Sequence, residues 1–171
     1  MDKGFIQVYT GNGKGKTTAA LGLSVRAVCA GKKVFFAQFI KGMKYSELDA
    51  GNYLKGLQIK QYGGGRFVNK KPTDEDIRQA DEGLKECEQI LTSGEYDLVV
   101  LDEINVALHY KLFPLDRVLK MLDNKNERTE VVLTGRYAPQ ELIDKADLVT
   151  EMKEIKHYYT KGVKARKGIE K

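Results

Sequence analysis

Residues 10–18 read Thr10-Gly11-Asn12-Gly13-Lys14-Gly15-Lys16-Thr17-Thr18, and no other stretch limits the fold so tightly. A β-prone run, Phe5-Ile6-Gln7-Val8-Tyr9, leads into it, and a helix pattern from Lys16 to Ala30 leads out. A glycine-rich turn in that setting converges backbone amides on one point, and the helix adds the positive end of its dipole. The guest such a turn suits is a phosphate. Lys16 supplies a point charge, and the Thr17 hydroxyl suits a Mg²⁺ ion. The strict Walker A pattern wants a glycine five positions before Gly15, where this chain has Thr10; Gly11 and Gly13 supply the freedom instead. Gly11, Asn12, Gly13, Lys14, Gly15, Lys16, Thr17 and Thr18 are therefore the candidate nucleotide contacts.

Beyond the loop, strand and helix signals alternate without a long linker, low-complexity tract or repeat. Val34 to Ile40 is a nearly continuous apolar run, as in a strand covered on both faces. Leu57 to Tyr62 alternates and reads as a half-exposed strand, broken by Gly63-Gly64-Gly65. Thr73 and Asp76 are placed to cap a helix whose face runs Ile77, Ala80, Leu84, Cys87, Leu91. Leu98–Leu101, Val131–Leu133 and Leu148–Met152 read as further strands, Leu115–Leu122 as an amphipathic helix, and Pro139 as the first residue of a short one. The helix from Lys16 to Ala30 is apolar around much of its circumference, which predicts deep burial. These elements predict one α/β domain over residues 1–171: three layers, with a mainly parallel sheet flanked by helices. A chain of 171 residues is long enough to fold without disulfide or metal staples.

Asp102 and Glu103 follow Asp97-Leu98-Val99-Val100-Leu101, the composition of a Walker B strand. A carboxylate at that strand end faces the phosphate loop and its metal, so Thr17, Asp102 and Glu103 are the candidate Mg²⁺ ligands. Arg136, at the end of the next strand, can reach a phosphate bidentately or make a surface ion pair. The cationic run Lys153, Lys156, His157, Lys161, Lys164, Arg166, Lys167 reads as a solvated tail, and His109 and His157 as structural or exposed. Cys29 and Cys87 fall in helix patterns without metal-ligand spacing and read as buried free thiols, as suits a reducing cytoplasm. No apolar run approaches the ~18 residues of a membrane span, and the amino terminus lacks a secretory pattern. The net charge of +5 comes without the basic and aromatic interleaving of a single-strand binder, so no nucleic-acid partner is expected.

The residues so far define a phosphate-loop protein without separating hydrolysis, kinase action and alkyl transfer. Here the wording of the chain becomes informative. Thr10 through Gly22 resembles the phosphate loop of the ATP:corrinoid adenosyltransferases, the cob(I)alamin or cob(I)yrinic acid a,c-diamide family. The resemblance continues through Arg26-Ala27, Gln38-Phe39-Ile40-Lys41-Gly42, Val100-Leu101-Asp102-Glu103-Ile104, Leu133-Thr134-Gly135-Arg136 and Ala146 to Met152. It closes with Lys156-His157 and Gly162-Val163-Lys164-Ala165-Arg166-Lys167-Gly168-Ile169-Glu170, in order, over nearly the whole chain.

That resemblance implies a recombinase-like P-loop fold and transfer of the 5′-deoxyadenosyl group of ATP to a reduced corrinoid, releasing triphosphate. It implies Lys16, Thr17 and Glu103 as the catalytic set, ATP gripped by Gly11 through Thr18 and Arg136, and binding in the reverse of the usual P-loop orientation. It further implies a homodimer, cytoplasmic work in cobalamin synthesis or salvage, and an electron donor such as a reduced flavoprotein. The chain departs from the pattern at Gly65-Arg66-Phe67-Val68-Asn69, where relatives carry Gly-Phe-Thr-Trp, and it contains no tryptophan. Phe67 is the residue the resemblance assigns to the corrinoid face. The competing readings are a P-loop ATPase or small kinase, and a nucleotide-dependent binding module without corrinoid chemistry.

Overall fold

The computed structural model describes residues 2–63 and 72–170. Six strands form one sheet: β1 (Ile6–Thr10), β2 (Val34–Phe39), β3 (Leu57–Tyr62), β4 (Leu98–Asp102), β5 (Glu130–Thr134) and β6 (Leu148–Glu151). Their order is β3-β2-β4-β5-β1-β6, and every pair is parallel. Parallel neighbours need crossovers, and the helices supply them: α1 (Lys16–Cys29), α2 (Ala50–Tyr53), α3 (Asp74–Ser93), α4 (Ile104–His109), α5 (Leu115–Asp123) and α6 (Gln140–Lys145). Successive side chains of a strand face opposite layers, and β2 shows it clearly. Phe35, Ala37 and Phe39 join the large core with Leu84, Leu91, Ile104 and Leu142, while Val34 and Phe36 join the smaller core with Ala20. The expected three-layer α/β arrangement with a parallel sheet is therefore observed.

Local signals explain most boundaries. Thr73 and Asp76 form the full capping box at the start of α3, and Gly94 ends that helix in the left-handed conformation. Strand β3 is an edge strand, buried at its ends and open between, as its alternation requires. Pro139 stands one position before α6, as its extended N-cap, rather than in its first turn. The φ of proline suits both places.

The deep burial expected of α1 is not observed. Only Lys16, Ala20 and Ser24 of that helix are buried, and Val25 is 41% exposed. Cys29 is exposed too, contrary to expectation, whereas Cys87 is buried in the large core. The reason is geometric: Leu21, Leu23, Ala27 and Val28 pack against the smaller core only in part, and Val25 on the outer side is left to solvent. Ile77 likewise stays 40% exposed at the start of α3, although the rest of its stripe is buried.

Two helical glycines separate space from propensity. A Cβ on Gly22 of α1 would meet nothing within 4 Å, whereas one on Gly83 of α3 would sit 2.4 Å from Cγ of Tyr62. Gly22→Ala is expected to stabilise the fold by ~0.5–1 kcal/mol. Gly83→Ala is expected to cost ~1–3 kcal/mol through overpacking against Tyr62. Urea denaturation of both variants checks the pair; equal effects would show that the Tyr62 contact does not constrain α3.

Candidate active site

The carboxyl ends of β1, β2, β4 and β5 open into a cavity of about 680 Å³. Residues 13–18 of the phosphate loop form one wall; Ile40 to Met43 and Tyr45 to Glu47 face them, with Glu103, Arg136 and Tyr137 beside. Strand ends are where open parallel sheets bind ligands. The loop's shape depends on a neighbour. Strand β6 continues past Glu151 alongside it, with Met152 N–H on the Thr10 carbonyl at 2.9 Å and Gly13 N–H on the Met152 carbonyl at 2.7 Å. A Cβ at Gly11, where φ is +94°, would lie 2.4 Å from that Met152 oxygen, and one at Gly13 2.7 Å from it. Both positions therefore require glycine.

The two glycines serve that approach, and Asn12 reinforces it by accepting Glu154 N–H at 3.1 Å. Gly11 and Asn12 thus brace the loop from behind, while Gly13 to Thr18 face the cavity. Lys16 is buried, and its Nζ donates to the carbonyls of Gly11 at 2.8 Å and Gly13 at 2.7 Å. Loss of water pushes its ammonium below the usual lysine value. An arriving anion is rewarded for restoring what burial removed.

Across the loop, Asp102 is fully buried and accepts four hydrogen bonds. The Thr17 hydroxyl donates to Oδ1 at 2.9 Å and that of Thr134 at 2.6 Å. Lys41 Nζ donates to Oδ2 at 2.8 Å, and Gln38 Nε2 at 3.3 Å. Lys41 also lies 3.6 Å from Glu47, to which Gln38 donates at 3.0 Å. Burial works against the Lys41 charge, but the Asp102 carboxylate overcomes it and holds the ammonium above its usual value. Thr134 accepts Glu103 N–H at 3.1 Å, so one hydroxyl ties β5 to both acids. Removal from water, and then the Asp102 charge, push the Glu103 carboxyl above its usual range.

Sequence reasoning named Lys16, Thr17, Asp102 and Glu103, and the fold brings them together. It passed over Lys41, Gln38 and Thr134, whose polar character inside or beside apolar strand runs was the available signal, and Glu47, which stands in the turn Ser46–Asp49 and carried none. Backbone strain marks the same place. Ile40, Glu103 and Tyr137 adopt φ of 65°, 62° and 63°, and all three line the cavity. Non-glycine residues hold that conformation only where their surroundings enforce it. Arg136 is exposed at the rim without an ion pair among the described residues, so the surface ion pair is not seen. Phe67 lies outside the described residues.

The lysines and arginine of the basic tail are exposed, as expected of a solvated run, but the segment that carries them does not hang free. It folds back on the loop: Lys14 Nζ donates to Glu170 at 2.8 Å and to the Tyr158 hydroxyl at 2.8 Å. Tyr158 itself donates to Glu170, and the Arg166 guanidinium bonds Glu170 at 3.1 Å while lying 5.2 Å over the Tyr158 ring. Arg166 first, then Lys14 and Tyr158, hold the Glu170 carboxyl well below the usual carboxylate range. His157, Gly168, Ile169 and Glu170 thereby become cavity lining, and the Lys14 charge is engaged by the tail.

A phosphate loop after β1, an acidic end on β4 and one strand, β5, between them define a P-loop nucleotide-binding protein. The chain belongs to the ATP:corrinoid adenosyltransferases: the family model described as "ATP:corrinoid adenosyltransferase BtuR/CobO/CobP" matches residues 2–170. It is 37% identical to a corrinoid adenosyltransferase of Pseudomonas aeruginosa, across 99% of this chain and 84% of that one. It is 35% identical to the corrinoid adenosyltransferase of Escherichia coli K12, across 99% and 86%. A KaiC-like protein of Pyrococcus horikoshii shares the fold with a TM-score of 0.59 at 15% identity, over 90% of this chain and 75% of that one.

Because Glu170 has its carboxyl lowered, the tail contact is complete above the ordinary carboxylate range of about 4 and is lost as pH falls through the lower, folded value. Glu170→Gln imitates that loss at neutral pH. Trypsin is expected to cut the variant faster than wild type at Lys161, Lys164 and Arg166; equal cleavage would show that Glu170 does not hold the tail.

Proposed function

We propose that this chain, as a single domain over residues 1–171, transfers the 5′-deoxyadenosyl group of ATP to the Co(I) centre of a reduced corrinoid and releases triphosphate. What carries the reading is the phosphate loop and the Asp102 cluster facing one cavity, in a chain matched by the family model from residue 2 to 170. The chemistry asks little of proton transfer. Co(I) of the substrate is itself a strong nucleophile: its electron pair forms the bond to C5′, and the C5′–O bond breaks toward triphosphate. The protein's task is to hold the polyphosphate, line up C5′ and keep water out.

Lys16, released from the Gly11 and Gly13 carbonyls, meets the charge growing on the leaving group, helped by the amides of residues 13–18. Arg136 at the rim adds a guanidinium for phosphate oxygens. The nucleotide lies in the reverse of the usual P-loop orientation, as the family resemblance implies. Glu103 serves as a metal-shell or hydrogen-bonding residue rather than a water-activating base, and Phe67 is assigned to the corrinoid by the resemblance alone.

Thr17, Asp102 and Glu103 form a hard oxygen donor set that fits Mg²⁺, which when bound would neutralise phosphate charge as a Lewis acid. Among the described residues no three His, Cys, Asp or Glu side chains form a metal cage. That suits an ion held by one or two carboxylates together with substrate phosphates. Among the described residues no helix is long and apolar enough to cross a membrane. We place the enzyme in the cytoplasm as a homodimer served by an electron donor such as a reduced flavoprotein, with no nucleic-acid partner, in cobalamin synthesis or salvage.

Incubation with Mg-ATP and chemically reduced cobalamin is expected to give adenosylcobalamin and inorganic triphosphate in equal amounts. Lys16→Ala is expected to lower that rate ~10²-fold or more while the fold, followed by circular dichroism, is unchanged. ADP and phosphate with unaltered corrinoid would instead identify an ATPase, and nucleotide binding without turnover a binding module.

A further inference from the structure

Lys41 is placed with unusual care. Strand β2 ends in a three-residue turn, Lys41 N–H on the Phe39 carbonyl at 2.7 Å, with the β-branched Ile40 between them at φ 65°. Turns of this form are rare and strained. Gly63 makes room for it, since a Cβ there would sit 2.8 Å from the Ile40 carbonyl carbon and 3.0 Å from the Lys41 oxygen. The turn delivers the Lys41 ammonium to Asp102 Oδ2 at 2.8 Å, with Thr17 Oγ1 at 3.5 Å and Glu47 at 3.6 Å. The side chains of Lys41 and Asp102 are 14% and 0% exposed. These are the oxygens, Thr17 and Asp102, assigned above to the metal.

We propose that Lys41 is an internal counter-cation that fills the metal's place in the nucleotide-free protein, and that it yields that place only when a polyphosphate arrives to receive it. The inference rests on the reading of Thr17 and Asp102 as Mg²⁺ ligands. A buried carboxylate without a cation is costly, so Asp102 needs Lys41 whenever no metal ion is bound to it. A divalent ion entering alone would meet an ammonium already bonded to its ligand. Mg-ATP brings both the replacement cation for Asp102 and a new anion for Lys41, which faces the same cavity. Metal and polyphosphate are thereby coupled, and coupling of this kind is reciprocal. In the loaded enzyme Lys41 sits on the triphosphate, where it becomes a second lysine stabilising the leaving group.

The test is metal binding without turnover. Mn²⁺ is titrated into wild type, Lys41→Met and Lys41→Arg, with and without inorganic tripolyphosphate, and bound metal is read by electron paramagnetic resonance. Without tripolyphosphate, Lys41→Met is expected to bind Mn²⁺ roughly 5- to 150-fold more tightly than wild type, the usual span of such couplings. Lys41→Arg, which keeps the charge, is expected to match wild type. Equal affinity in wild type and Lys41→Met overturns the proposal while leaving the metal site intact. Absence of a protein-bound Mn²⁺ signal in every protein, even with tripolyphosphate, overturns the metal reading and this inference with it. If Lys41→Met does not fold, wild type decides alone: protein-bound Mn²⁺ as tight without tripolyphosphate as with it overturns the proposal.

Discussion

A single buried carboxylate organises this molecule. Asp102 stands at the end of β4, fully out of water, and is satisfied by groups from α1, from β2 and the turn after it, and from β5. Such a charge is tolerable only when every lone pair is used and a cation stands close. Its four donors therefore fix the relative positions of three strand ends and the start of the phosphate-loop helix. The same demand explains why Gln38 interrupts the otherwise apolar β2 and why β5 ends on a buried Thr134.

Among the described residues, three of the four non-glycine residues with positive φ lie around the cavity beside that carboxylate; the fourth, Lys111, follows α4 away from it. Ile40 turns to present Lys41, Glu103 turns to start α4 directly after Asp102, and Tyr137 turns beyond Arg136 to stack on His109 with ring centroids 4.2 Å apart. Each is a non-glycine residue in a left-handed conformation, and each borders the cavity. Conformations of this cost persist where packing over-determines them, and here the buried polar cluster and the sheet beneath it do so. A backbone over-determined in this way suits a reaction whose main requirement is alignment.

Much of this was legible in the sequence. The phosphate loop, the strand ending in Asp102-Glu103, the capping box at Thr73 and the parallel three-layer arrangement all follow from local patterns, because glycine spacing, capping and apolar periodicity are short-range signals. Three features were not. The lysine on Asp102 comes from residue 41, and nothing in Ile40-Lys41-Gly42 announces a turn that strains a β-branched residue. The carboxy-terminal cations are exposed, as a charge run implies, but the docking of their segment on Lys14 is not written there; it depends on Tyr158 and Glu170, twelve residues apart in sequence and joined only by the fold. The outer face of α1 looked buried because composition counts apolar residues and cannot say whether a second layer covers them.

The dependence on Asp102 is open to one direct measurement: urea unfolding of Asp102→Asn against wild type at neutral pH. The substitution keeps the shape, removes the charge and leaves the buried Lys41 with only the longer contact to Glu47 at 3.6 Å. The expected outcome is a loss of about 3–5 kcal/mol at an unchanged denaturant slope, the usual cost of breaking a buried ion pair. A variant within ~0.5 kcal/mol of wild type, the range of an ordinary surface change, would contradict the view that this carboxylate holds the strand ends together.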